Sequence, residues 1–203
     1  MNITHAEHEE VTGDRLQAIF DRQKELMSKY HDIELRSGLM QTEDCPVNLD
    51  DKRGQARIKD FAWRVMEEVG EALDALESLD KEHFKEELVD GLHFLTELTI
   101  LTGFEFNYEG DGVDYLIKHN ITGNLETLVT SLVKNLGMMC NCLKNKPWKQ
   151  TSMVTDKNNF YLQLAMVWYV YFSILTYTME GDEIVDIYLR KSQVNKFRQR
   201  SNY

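Results

Sequence analysis

Hydrophobic residues recur along this chain at intervals of three and four, which is the spacing of an amphipathic helix. No stretch shows the convincing period of two that a half-buried strand would give. The pattern predicts helices over residues 12–30, 56–79, 82–102, 122–143, 157–179 and 182–199. The expected fold class is therefore all-α, a helical bundle of about six helices.

Cap and breaker residues set the expected ends of these helices. Gly103 and Gly181 stand where helix stops are expected, because glycine readily adopts the left-handed conformation that closes a helix. Asp80 and Asp182 are suited to N-cap positions, where a carboxylate accepts from free backbone N–H groups. Two polar stretches are predicted to be loops: 37–54 and 105–112.

Length and charge narrow the class of protein. A chain of 203 residues is long enough for one well-buried core, so we expect a single domain over residues 1–203. The formal net charge of -11 argues against nonspecific nucleic-acid or anionic-membrane partners, since both surfaces repel an acidic protein. A small phosphorylated substrate stays compatible with this charge if a metal ion or local cations offset the repulsion.

The cysteines and the apolar segments indicate a cytoplasmic protein. Cys45, Cys140 and Cys142 form neither a disulfide framework nor a complete zinc site, and are expected to be buried, reduced thiols. Residues 1–10 are polar and acidic, unlike a signal peptide. The most apolar run, 160–179, is interrupted by polar side chains and is predicted to be a buried helix that does not span a membrane.

Four carboxylates occupy positions where apolar residues are expected. Glu68 and Glu71 are three apart on one predicted helix, and Glu87 and Asp90 are three apart on the next. This spacing places the members of each pair about 60° apart on one helix face. Glu87 and Asp90 project into the apolar stripe of their helix, and Glu68 lies at the edge of its own stripe, with Glu71 one step further round.

Buried carboxylates need a counter-charge, because an unpaired buried ion costs several kcal/mol. The core faces of these two helices supply no lysine, and Mg²⁺ prefers carboxylate oxygens while it leaves ligand positions open for water and phosphate. Ordinary solvated acids would explain one such pair. Two pairs on successive helices favour a metal site for Mg²⁺, with Mn²⁺ as a substitute ion.

The last thirteen residues carry cations and no acid, in contrast to the rest of the chain. Lys191, Asn195 and Arg198 follow the i, i+4, i+7 spacing of one helix face, so an ammonium, an amide and a guanidinium are presented together. This set suits a polyphosphate. A basic helix end that complements the helix dipole is the alternative explanation.

These motifs resemble those of a known enzyme superfamily. The runs over 63–71 and 87–94 are similar to the Glu-x-x-Glu and Glu-x-x-Asp motifs of the all-α nucleotide pyrophosphatases, which include the MazG-like enzymes and the dimeric dUTPases. The segment 191–203 is similar to the terminal motif Lys-Asn-x-x-Asn-x-x-Arg-Gln-x-x-Gly-Tyr of dimeric dUTPases and phage dCTP/dUTP pyrophosphatases. Gln23 resembles the first-helix glutamine that helps to bind the base.

The chain departs from these motifs at a few positions. Ser192 stands where the terminal motif has Asn, and Asn202 where it has Gly. The Asn that usually follows the first-helix glutamine is missing, since that neighbourhood contains Leu26 and Met27. The identity of the base therefore stays open between uracil, cytosine and a wider range.

The resemblance implies an all-α pyrophosphatase fold and Mg²⁺-dependent hydrolysis of a deoxyribonucleoside triphosphate, most simply of dUTP to dUMP and pyrophosphate. It implies a homodimer, acting in the host cytoplasm if the chain is phage-encoded. Glu68 would orient or deprotonate the attacking water. The expected roles of the other residues are as follows: metal ligands Glu68, Glu71, Glu87 and Asp90; phosphate ligands Lys191, Asn195 and Arg198, supported by Gln199 and Tyr203; base or sugar contacts Gln23, Trp63 and His93.

Other interpretations stay open at this point. Trp63 and His93 are also explained by helix packing, and the role of the lysine-rich loop over 143–150 is undefined. A dCTP-specific or broad-range MazG-like enzyme would use the same carboxylates. A non-catalytic helical protein that binds a partner is a further alternative, but it would have no need of all four acids.

Overall fold

The computed structural model describes residues 6–8 and 10–200, without the side chains of 199 and 200. Within that part, the chain forms seven α-helices and no strand, which confirms the all-α bundle. The helices are α1 (Arg15–Ser37), α2 (Lys52–Glu77), α3 (Lys81–Thr102), α4 (Gly112–Lys118), α5 (Leu125–Cys142), α6 (Lys157–Leu175) and α7 (Gly181–Arg200). None of these helices is long and apolar enough to cross a membrane.

Helix ends agree with the sequence pattern in part. Asp80 caps α3 by accepting from the backbone N–H of His83 at 3.1 Å, and Gly103 ends α3 with a φ of 68°, as expected. The stop predicted at Gly181 is wrong, because α6 already ends at Leu175 and Gly181 is the first residue of α7. Asp182 is therefore not an N-cap but lies in the first turn, where its charge still complements the helix dipole.

The sequence pattern missed α4, which has only seven residues and therefore shows less than two turns of periodicity. Its N-cap is Asp111, whose carboxylate accepts from the backbone N–H of Asp114 at 2.9 Å. Val113 and Leu116 are completely buried and attach the helix to the core.

Helix α3 lies at the centre of the bundle. It packs most extensively against α2 and also contacts α1, α6 and α7, so almost every face of it is buried. Helices α5 and α6 form a hairpin beside this centre, and α6 contributes the completely buried rings of Trp168, Tyr171 and Phe172. The first and last helices, α1 and α7, pack against each other and both reach α3.

Two loops are each attached to the core by a hydrogen-bonded residue. The backbone N–H of Val47 donates to the carbonyl of Leu101 at 2.8 Å, which fixes the α1–α2 loop. Asn145 is buried and bonds to Gln55, and so anchors the lysine-rich loop, although Trp148 in that loop is 78% exposed. Cys45 is exposed, Cys140 is half-buried and only Cys142 is buried, so the prediction of three buried thiols is wrong for the loop residue Cys45 and holds fully for Cys142 alone.

Candidate active site

Three of the four predicted metal ligands meet where α2 crosses α3. One oxygen each from Glu68, Glu71 and Glu87 lies within 4.8 Å of the other two. Opposite ligand positions around Mg²⁺ are about 4.2 Å apart, so these oxygens need only small movements to share an ion. Glu87 is buried, Glu68 is half-buried and Glu71 is exposed, which leaves the cluster open on one side.

Both α6 and α2 pack closely on α3 at Gly91, which has no side chain. A Cβ at this position would overlap the hydroxyl of Tyr171 and would lie 3.3 Å from the Cβ of Glu68. The Tyr171 hydroxyl donates to the carbonyl of Leu88 at 2.7 Å from a completely buried ring. Gly91 therefore leaves room on α3 for the Tyr171 hydroxyl of α6 and for close packing of α2 beside the acidic cluster.

The electrostatics of the cluster fit a divalent cation. Burial, a hydrogen bond with Glu87 and the charges of Asp90, Glu87 and Glu71 raise the pKa of Glu68 to about 8. Such a shift reflects mutual repulsion of carboxylates in a poorly solvated place. A hard cation among these oxygens would replace that repulsion by attraction, and all three donors are of the type that Mg²⁺ and Mn²⁺ prefer.

Asp90 lies beside the cluster but has a different partner. Its Oδ2 is 2.5 Å from Nζ of Lys191, which is also 3.8 Å from a Glu86 carboxylate oxygen. Burial raises the pKa of Asp90 to about 6, although the Lys191 ammonium opposes this shift. Helix α7 thus supplies a lysine to the core faces of α2 and α3, where the sequence of these two helices places none. The prediction of Asp90 as a metal ligand stays a prediction.

A cavity of about 610 Å³ adjoins the carboxylates between α1, α2, α3 and α7. Its volume lies in the range of small-molecule sites. Five of the predicted site residues line it: Gln23, Glu68, Asp90, His93 and Asn195. Phe61 and Phe94 contribute apolar surface, so the cavity joins an acidic end to an apolar wall.

Gln23 is at the centre of a buried polar network in this cavity. Its amide Nε2 donates to Oε2 of Glu97 at 2.9 Å. Its Oε1 accepts from the hydroxyl of Tyr188 at 2.9 Å and from Nδ1 of His93 at 3.0 Å. The first, third and last helices therefore fix one side chain whose sequence motif predicts contact with the base.

His93 is a neutral imidazole in this network. Burial and the charge of Lys191 lower its pKa to about 3, and its ring stacks on Tyr188 with centroids 3.8 Å apart. Because Oε1 of Gln23 can only accept, Nδ1 carries the proton and Nε2 has a lone pair. In the described part of the chain, Nε2 is buried without a hydrogen-bond partner.

The predicted phosphate ligands are distributed along one side of α7. Lys191 pairs with Asp90, Asn195 lines the cavity, and Arg198 is exposed. The side chain of Gln199, and all of Tyr203, lie outside the described residues.

Trp63 does not line the cavity in this chain. It follows Phe61 by two residues, which is about 200° around the helix, so it points to the opposite side and is 65% exposed. Its expected contact with the base stays a prediction.

Sequence reasoning missed several residues of the site. Four buried residues in or near the site were not singled out: the charged Glu97, Arg57 and Lys196, and the aromatic Tyr188. Glu97 had a signal, since it follows His93 by four residues on the same face of α3. Lys196 had none, because its partner Glu25, at 2.5 Å, is 171 positions away.

Fold and site together define a class: an all-helical protein in which acidic side chains from two crossing helices line a cavity of small-molecule size. Residues 15–203 match a family model described as dUTPase. The chain therefore belongs to this all-α dUTPase family, a family of nucleotide pyrophosphatases that has the MazG-like fold. Searches of curated proteins and of solved structures found no match to this chain.

Proposed function

We propose that this protein hydrolyses dUTP to dUMP and pyrophosphate in a reaction that depends on Mg²⁺. Membership of the dUTPase family supports a deoxynucleoside triphosphate diphosphatase in general. The observation that carries the finer proposal is the meeting of Glu68, Glu71 and Glu87, because Glu68 also lines the cavity and so joins the acidic cluster to it. This arrangement offers a place for the triphosphate beside the acids and a place for the base further in.

Mg²⁺, or Mn²⁺ in its place, would be held by Glu68, Glu71 and Glu87, with Asp90 as the fourth ligand. When bound, the ion would supply Lewis-acid chemistry, lowering the pKa of a water molecule and offsetting the charge of the leaving phosphates. Lys191 reaches this cluster from α7, and its ammonium can turn from Asp90 to a phosphate oxygen.

The chain's own groups account for the bond changes. Glu68 borders both the cluster and the cavity, so it orients the water and accepts its proton as the oxygen bonds to the α-phosphorus. The bond from the α-phosphorus to the bridging oxygen breaks, and pyrophosphate leaves with the electron pair. Lys191, Asn195 and Arg198 bind the β- and γ-phosphates, with Gln199 and Tyr203 as supports.

A dCTP-specific or broad-range enzyme is the second candidate. Leu26 is completely buried against the cavity in the region where related motifs carry an asparagine, so the groups that recognise the base differ here. We also propose a cytoplasmic homodimer. The exposed apolar side chains Val133, Met138 and Leu162 of the α5–α6 hairpin are available to such an interface.

The test is pyrophosphate release from dUTP, dCTP, dTTP, dATP, dGTP and UTP, with Mg²⁺ and with EDTA. We expect dUTP turnover that EDTA abolishes and that Glu68→Gln and Glu87→Gln reduce at least 100-fold. Glu82→Gln is the matched control, because Glu82 is a solvated acid of α3 with its side chain 80% exposed. Full turnover by Glu68→Gln would refute the role of this carboxylate, and a preference for dCTP would favour the second candidate.

A further inference from the structure

The amide of Gln23 is held in one orientation. Its nitrogen faces the Glu97 carboxylate, and its oxygen faces two donors, the Tyr188 hydroxyl and the protonated Nδ1 of His93. A reversed amide would place its oxygen against a carboxylate and its N–H₂ against these donors. Both acceptor positions of the Gln23 oxygen are therefore filled by the protein, and only the second N–H of Nε2 is left for a ligand.

Glu97 has one oxygen in this network and one outside it. Oε2 accepts from Gln23, whereas no group in the described part of the chain donates to Oε1. The side chain is 9% exposed and lines the cavity. Among the described residues, the buried side-chain atom without a partner is Nε2 of His93, so Oε1 of Glu97 is not sealed in the core but opens to the cavity. This oxygen is therefore available to a hydrogen-bond donor on whatever fills the cavity.

The two groups together form a donor next to an acceptor. The second N–H of Gln23 can donate to a ring acceptor, and Oε1 of Glu97 can accept from an adjacent N–H. Uracil offers this pair as a carbonyl beside N3–H, and cytosine offers it as N3 beside its amino group. The rings of Phe61 and Phe94 line the same cavity and provide apolar surface for the faces of a planar base.

We infer that Glu97 is a specificity-determining residue, which fixes the Gln23 amide with one oxygen and accepts an N–H from the edge of a bound pyrimidine with the other. This inference rests on the proposed function, since it takes the cavity to be the nucleotide site. The shared chemistry is a ring-edge N–H, and separate measurements with dUTP and dCTP show which base supplies it.

The main test compares the wild type with Glu97→Gln, using dUTP, dCTP and 3-methyl-dUTP, which has no N3–H. The variant keeps the shape of the side chain but replaces one acceptor oxygen by N–H₂. We expect the KM for the preferred nucleotide to rise about 10- to 100-fold, as for a lost hydrogen bond to a charged group, with kcat within about threefold. If the preferred nucleotide is dUTP, the wild type should discriminate against 3-methyl-dUTP and the variant should not.

A second variant separates direct contact from positioning. Tyr188→Phe removes one donor to the Gln23 oxygen without a change in Glu97. We expect KM to rise less than in Glu97→Gln. The variant should discriminate against 3-methyl-dUTP as strongly as the wild type does. Thermal melts of both variants report whether either change disturbs the fold.

Binding of the product dUMP, or of dCMP, measured by calorimetry in EDTA, provides a readout that needs no turnover. Weaker binding of the product by Glu97→Gln than by the wild type supports the inference, whether or not the wild type hydrolyses a nucleotide. A wild type that binds the product but hydrolyses no nucleotide would refute the proposed function alone. A wild type that is active, together with a Glu97→Gln variant of unchanged KM and discrimination, would overturn the inference alone. A wild type that neither binds nor hydrolyses these nucleotides would overturn both.

Discussion

Replacing Gly91 by alanine tests whether this glycine leaves room on α3 for the Tyr171 hydroxyl of α6. The new methyl group would overlap the buried Tyr171 hydroxyl. Overpacking of a core costs about 1–3 kcal/mol, and the lost hydrogen bond to Leu88 costs about 1 kcal/mol. The better helix propensity of alanine returns about 1 kcal/mol, so we expect Gly91→Ala to lose about 2 kcal/mol of unfolding free energy.

The double variant Gly91→Ala/Tyr171→Phe is the matched control. Without the hydroxyl, the nearest ring atom is Cζ at 3.2 Å from the new Cβ, which a small shift accommodates. Urea unfolding of the wild type, both single variants and the double variant completes a double-mutant cycle, in which we expect a favourable coupling of about 1 kcal/mol or more. A Gly91→Ala variant as stable as the wild type, or costs that simply add in the double variant, would refute the steric argument.

Two further predictions concern charge. Mg²⁺ at 100 times its Kd should stabilise the wild type by about 2.7 kcal/mol, measured as a rise in Tm that EDTA reverses, whereas Glu68→Gln should show little rise. Burial and the charge of Glu34 raise the pKa of Glu97 to about 7, while Gln23, Arg57 and Arg64 oppose the shift. The folded state therefore binds the extra proton between pH 4.5 and 7 and loses stability as pH rises through this window. The unfolding free energy of Glu97→Gln should consequently exceed that of the wild type by about 3 kcal/mol above pH 7 and by little near pH 4.5. Parallel stability–pH curves for the two proteins would contradict this expectation.

The local part of the site could be predicted from the sequence because helical spacing alone determines it. Glu68 and Glu71, or Glu87 and Asp90, share a face wherever their helices pack. The identity of each partner could not be predicted in the same way. Lys191 meets Asp90 across 101 positions of sequence, and no periodicity connects α3 with α7.

The errors in the sequence-based predictions have similar physical causes. Gly181 is a good helix stop by residue type, but α6 already ends at Leu175. The five residues 176–180 form the turn and the link to α7, so Gly181 begins the next helix. Helix α4 is stabilised by tertiary burial, which sequence periodicity over seven residues does not show. Glu97 lies in an apolar run on the face of His93, so counting acids along that face would have found it.

The attachment of the last helix to the first has a consequence for how the active protein is made. The hydrogen bond from Tyr188 to Gln23 closes 165 positions of sequence, and the ion pair of Lys196 with Glu25 closes 171. Contacts of such long separation form late, because the entropy of closing the intervening chain must be overcome first. During synthesis, α2 and α3 can pair and assemble the carboxylates well before α7 leaves the ribosome. A nascent chain would thus form its acidic cluster early and complete the polar network around Gln23 only with the final helix.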